Sequence, residues 1–203
     1  MVTKAKYHSF RELAANETEN IDYRIRCREG ASEMVIMAIH GGGIEPGTTD
    51  IADATAGDRH GFYSFSGLKK SGNFVLHITS RRFDEPQGLA IAGKATTILS
   101  IHGCGDSDSI VLMGGRNNLL KDKIRKSLEK AGFQVKISVR FPGLSPMNIC
   151  NRCRSGAGVQ LEISHGLRSL MFEGLLRSQR NKTTRVFHQF VDALKQVIHC
   201  QSF

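Results

Sequence analysis

The sequence predicts an α/β fold, a single domain over residues 1–203 with a mixed, mostly parallel sheet flanked by helices. Three observations carry this. Short, near-continuous apolar runs such as Val35-Ile-Met-Ala-Ile39 read as strands buried on both faces. Segments of helical period are interspersed with them along the chain. A length of 203 residues, 40% of them hydrophobic, suits one core of ordinary size.

The elements follow in chain order. Within an N-terminal segment (1–20), Ser9 and Glu12 frame a capping box that starts a short helix through Ala15. Residues 23–27 alternate like a strand. The run 35–39 is a central strand that stops abruptly at His40-Gly41-Gly42-Gly43. Residues 73–79 and 97–101 read as further strands, the second ending in His102-Gly103, and 110–113 as another. Leu119, Leu120, Ile124 and Leu128 recur at helical spacing between Asn118 and Ala131, with Gly132 closing the helix. Residues 133–139 alternate, and 159–163 form a last strand. Val186, Phe187, Phe190, Val191, Leu194, Val197 and Ile198 make one apolar stripe on a final helix over 184–200.

Charge and cysteine content narrow the function. The chain holds 28 Lys+Arg against 19 Asp+Glu, a formal +9. The imbalance is uneven: residues 1–60 carry 7 basic and 10 acidic side chains, residues 61–203 carry 21 and 9. Such a field favours an anionic partner. Nucleic acid is one candidate, but no recognition module accompanies the charge. Lys121, Lys123, Arg125, Lys126 and Lys130 read as a solvated helix face. No apolar run approaches the ~18–20 residues of a membrane span, and the start lacks a signal-peptide pattern, so a soluble protein made in the cytoplasm is expected. Five cysteines, an odd number, argue against a disulfide framework. Cys150 and Cys153 form a C-x-x-C without a second pair, read as two thiols near a loop.

Candidate chemistry gathers at strand ends, where open α/β sheets bind ligands. His40 and His102 each end a strand and are each followed by Gly; Glu45 follows His40 in a glycine-rich loop able to curl back. Two His and a carboxylate with one position open make a catalytic zinc arrangement. Glu162, inside the apolar run Val159-Gln-Leu-Glu-Ile163, must be paired or functional, and fits a general base. Each piece also has an ordinary reading: a hydrogen-bonded structural His, or a Glu holding a buried arginine. The HGGG stretch occurs too as an esterase oxyanion loop, but no G-x-S-x-G is present to serve it.

The motifs HGGGIEPGTTDIA, TSRRFDEP, SIHGC, GGRNNLL and NICNRC-RSGAGVQLEIS-HGLR, with the final helix, resemble the phage-type poly-γ-glutamate hydrolase family, which occurs in Bacillus and its phages. The resemblance covers about residues 20–200. It implies a fold similar to zinc carboxypeptidases and a hydrolase, with one Zn2+ per chain, that cuts γ-glutamyl amide bonds of poly-γ-glutamate, endo-acting and monomeric. By position His40, Glu45 and His102 match the metal ligands, and Glu162 the general base. Asn151-Arg152 resembles the carboxypeptidase pair that binds a substrate carboxylate, although it follows the second His instead of preceding it. Arg168 and Arg82 are further carboxylate partners. The polymer carries a free carboxylate on every residue, so the basic charge has a substrate-based explanation. A zinc enzyme acting on short γ-glutamyl or acyl-amino-acid substrates is the alternative, and a nucleic-acid-binding protein the third. Without a leader, meeting an external capsule would follow cell lysis.

Overall fold

The computed structural model describes residues 6–199. Seven strands form one sheet: β1 (Tyr23–Arg28), β2 (Met34–Gly42), β3 (Gly61–Gly67), β4 (Thr97–Cys104), β5 (Ile110–Gly115), β6 (Gln134–Ile137) and β7 (Val159–Ser164). Their order is β1-β3-β2-β4-β7-β5-β6. The central four, β3, β2, β4 and β7, run parallel; β1 is antiparallel to β3, and β5 antiparallel to β7. The sheet is therefore mixed with a parallel centre, as the apolar runs predict.

Both faces are covered. On one, Met34, Ile36, Ala38, Leu99, Ile101, Leu161 and Ile163 pack with α2 (Thr48–Ala56), α4 (Asn118–Lys130), α5 (His165–Met171) and α6 (Arg185–Ile198). On the other, Val35, Met37, Ile39 and Ile98 pack with Leu13 of α1 (Phe10–Ala14), with α3 (Pro86–Lys94) and with Leu76, Ile78 and Phe83. Alternate residues of β2 thus enter different cores, which is why its sequence is apolar throughout.

The differences from expectation are local. Residues 73–79 are not a strand: Asn73–Leu76 form a 3-10 turn and the chain then runs irregularly, with Leu76 and Ile78 in the core. Their apolar spacing serves packing against the sheet face, not a ladder. Ser9 Oγ accepts from the Glu12 N–H, and Glu12 reaches back to the His8 N–H. β3, α2, α3 and α5 have weak local signals; α2 is rich in Thr and Asp, poor helix formers that tertiary packing overrides. On α4, Leu120, Ile124 and Leu128 are buried, while Arg125 and Lys126 pair with Asp122 and Glu129 at the surface. Cys150 and Cys153 are buried beside β4 without a bridge, and burial pushes the Cys150 thiol up to about 12. Cys200, the last residue of the final helix expected over 184–200, falls outside the described residues, and the helix described ends at Ile198. Among the described residues no helix is long and apolar enough to cross a membrane.

His60 precedes β3 with its Nδ1 2.6 Å from Ser32 Oγ and its ring beside that of His199. Burial, with His199 and Arg59 adding to it, pushes its pKa down to about 4. Below the ordinary value near 6.5 the unfolded chain takes up a proton that the folded chain refuses, so stability falls as pH drops from about 6.5 to 4. Urea unfolding at pH 7.5 and 5 should show a loss of order 1–3 kcal/mol in this window. His60→Gln should make that slope shallower without abolishing it, because the buried His77, held down to about 3, contributes in the same window. An unchanged slope would mean that His60 carries none of it.

Candidate metal centre and active site

The parallel strands set out the site on one face. On β4, Ile98, Ser100 and His102 share a face; on β7, Gln160 and Glu162 share it, with His102 and Glu162 opposite one another in register. His40 would point to the other core by simple alternation. The β2–β3 register slips between Ala38 and Gly41, and this irregularity turns His40 to the side of His102. Beyond it the chain doubles back, so that the Glu45 N–H donates to the His40 carbonyl at 2.9 Å. That return explains the five-residue spacing between His40 and Glu45.

The side chains converge. Glu45 Oε1 lies 3.0 Å from His40 Nδ1, and Glu45 Oε2 accepts from the Gly103 N–H at 2.8 Å and lies 3.7 Å from His102 Nδ1. His40 Nδ1 and His102 Nδ1 are 3.2 Å apart. Both imidazoles are buried, and Glu45 is only 11% exposed. His77, which the sequence reading passed over inside its supposed strand, stacks on His40 with ring centroids 3.9 Å apart. Its Nε2 is 3.9 Å from Glu45 Oε1, and its buried Nδ1 has no hydrogen-bond partner. His40, Glu45 and His77 can each present one ligand atom within 4.8 Å of the others.

The donor set fits a cation. His40 Nε2 lies 2.7 Å from the Ile78 carbonyl, which can only accept, so Nε2 carries the proton. Unless a proton sits there, Nδ1 presents a lone pair to a carboxylate oxygen and a second imidazole nitrogen. Acceptors this close require a proton or a metal ion between them. A second ring nitrogen donating to a backbone carbonyl is also how metal-bound histidines are oriented.

The family profile described as poly-gamma-glutamate hydrolase matches residues 7–193. The chain belongs to this family. It is 36% identical over 193 residues to the UPF0714 protein YndL of Bacillus subtilis (strain 168), spanning 93% of this chain and 75% of that protein. The SPbeta prophage-derived UPF0714 protein YoqZ is also 36% identical, over 96% of this chain and 72% of YoqZ. A solved bacteriophage poly-gamma-glutamate hydrolase superposes with a TM-score of 0.93 at 34% identity, covering 96% of each chain. A structure described as zinc-free YNDL gives 0.94 at 33%, covering 98% of this chain and all of that one.

In this hydrolase the centre opens into a cavity of about 1250 Å³ lined by residues from segments 74–81, 102–106 and 140–148 and by Gln160 and Glu162. Burial pulls the Glu45 carboxyl upward, but the His40 charge and the hydrogen bonds to His102 and His40 outweigh it and hold it well below the usual range. Glu162 goes the other way: burial, reinforced by the Glu45 charge, raises it against the pull of His102, His40 and Arg140. Burial drives His77 down to about 3, with the His40 charge adding to it. Two carboxyls pushed apart by their surroundings suit different tasks.

The four residues anticipated as carboxylate binders stand elsewhere. Arg168 donates to the carbonyls of Ile163, Pro46 and Cys104, beneath Gly103, where a Cβ would come within 2.6 Å of the guanidinium. It braces the backbone of β4, β7 and the Glu45 loop and does not line the cavity. Asn151 Nδ2 donates to the carbonyls of Gly143 and Ser145, and its Oδ1 accepts from Gly158, so it shapes the cavity wall from behind. Arg152 donates to the Phe83 carbonyl, and Arg82 contacts His8 at the surface. The cations that do line the cavity are Arg81 and Arg140. No motif distinguished them from the chain's other arginines.

Arg168→Met leaves three backbone acceptors unpaired in a buried place. It should cost about 3–5 kcal/mol of stability, read by denaturant unfolding of the metal-free protein. A near-neutral unfolding free energy, with lost substrate affinity instead, would restore a binding role for Arg168.

Proposed function

We propose that this hydrolase cuts γ-glutamyl amide bonds within poly-γ-glutamate, using zinc held by His40, Glu45 and His102 and Glu162 as general base. One observation carries the reading: mutually facing acceptor atoms of His40, Glu45 and His102 share a cavity with a buried, upward-shifted carboxyl at Glu162. The phage enzyme of near-identical fold is a poly-gamma-glutamate hydrolase, and the zinc-free description of the YNDL structure speaks for zinc.

Zinc bound here supplies a Lewis acid and acidifies water near neutral pH. The chain's own groups do the rest. Glu45 and the imidazoles offer ligand atoms already held by the Gly103 N–H and the Ile78 carbonyl. Glu162 Oε1, 3.5 Å from Gln160 Nε2, takes the proton from attacking water and returns it to the leaving nitrogen. Its raised pKa suits both halves of that transfer. Endo action is part of the proposal, and the large cavity, about 1250 Å³, leaves room for more than one glutamyl unit of the polymer.

Metal analysis combined with poly-γ-glutamate viscometry tests this. Wild type should bind zinc and lower viscosity rapidly, before monomers accumulate. Glu162→Gln should keep the metal and lose roughly 10²–10⁴-fold in kcat, whereas His40→Ala or His102→Ala should lose the metal itself. Full activity in Glu162→Gln would remove the proposed base, and monomer release ahead of the viscosity drop would remove endo action.

A further inference from the structure

We infer that Arg140 reads the α-carboxylate on the leaving side of the scissile amide, making the enzyme selective for γ-linked over α-linked glutamate, while Arg81 engages the carboxylate on the acyl side. This rests on the poly-γ-glutamate reading above.

The bond itself shows where linkage can be read. In a γ-linked chain the leaving nitrogen sits on the very carbon that bears the free carboxylate. In an α-linked chain the nearest free carboxylate on that side lies at the tip of a side chain. On the acyl side both polymers place the carboxylate at the far end of the same run of carbons. A cation beside the leaving nitrogen therefore distinguishes the linkages, and one on the acyl side does not.

The cavity places its two cations differently. Arg140 belongs to the wall next to Glu162, the group assigned to protonate the leaving nitrogen. The adjacent Phe141 carbonyl accepts from Gln160 Nε2, and the same nitrogen lies 3.5 Å from Glu162 Oε1. The Arg140 charge is felt at Glu162. Its guanidinium is set by an ion pair to Asp106, another cavity residue, and lies over the Phe141 ring, 4.5 Å from its centroid. Asp106 accepts from both Nη1 and Nη2 of Arg140; with the two side chains 54% and 34% exposed, the donors left for a carboxylate are the Nε–H and the second hydrogens of the Nη groups. Arg81 stands on a different lining segment, three residues after Ile78, whose carbonyl anchors His40, and so belongs to the metal-ligand side of the cavity rather than to the Glu162 side. Among the described residues it has no ion-pair partner.

The test compares zinc-loaded wild type, Arg140→Gln, Arg140→Lys and Arg81→Gln on poly-γ-glutamate, poly-α-glutamate and a γ-linked oligomer amidated at the α-carboxylate on the leaving side of one scissile bond. Arg140→Gln should lose about tenfold or more in kcat/KM on poly-γ-glutamate, yet match wild type at the amidated bond. Arg140→Lys, with charge but no fork, should fall between. Arg81→Gln should lose activity equally at amidated and unmodified bonds. The exposed Arg140–Asp106 pair lets these variants fold, which unchanged thermal melting checks. No loss in Arg140→Gln, or an undiminished loss at the amidated bond, overturns the inference and leaves the hydrolase reading intact. Zinc-loaded wild type that leaves poly-γ-glutamate uncut overturns both.

Discussion

The Glu45 carboxylate is the constraint around which the centre is organised. It is almost removed from water, and one oxygen receives the Gly103 N–H. Such a group is tolerable only where positive charge meets it. Imidazole nitrogens 3.0 and 3.7 Å away supply that meeting place, through protons or a metal ion. The same carboxylate links the loop after β2 to the end of β4, so folding the backbone also assembles the proposed ligand set. Thr48 Oγ1 donates to the Glu45 carbonyl at 2.8 Å and thereby fixes the start of α2 against this loop.

Much of this was legible in the sequence because strands buried on two faces leave a strong mark. The runs now seen as β2, β4, β5 and β7 were readable from apolar continuity, and so were α4 and α6 from their stripes. His40, His102 and Glu162 were legible as polar groups interrupting apolar strands or their ends, and Glu45 from the glycine-rich loop after His40; the structure brings His40, Glu45 and His102 together in a cavity that Glu162 also lines. His77 was hidden because it stands among Val75, Leu76 and Ile78, whose spacing imitates a strand. β3 and α2 were hidden because their residues gain stability from packing on the sheet, not from local preference.

The arginines show why composition alone misleads about binding. A basic balance says that an anion is favoured, not which guanidinium meets it. Arg168 and Arg152 are absorbed by backbone carbonyls, those of Ile163 and Cys104 near the ends of β7 and β4 and that of Phe83, where a rigid fork of donors ties segments together. Arg125 is absorbed by its neighbours on α4. Nothing in the local sequence separates these from Arg81 and Arg140; the difference is made by which loops face the trough.

The deepest dependence is one of register. β7 comes last of the strands in sequence, yet it inserts between β4 and β5. That insertion sets Glu162 beside His102, from a position far along the chain. Val159, Leu161 and Ile163 fill the helical side of the sheet and leave Gln160 and Glu162 for the other. A slip of one residue would bury the carboxyl among Leu and Ile and turn those apolar groups toward the cavity. The apolar pattern of β7 therefore does more than stabilise the sheet. It excludes every slip by an odd number of residues, and in the alignment adopted, with Glu162 opposite His102, the proposed base faces the proposed metal ligands.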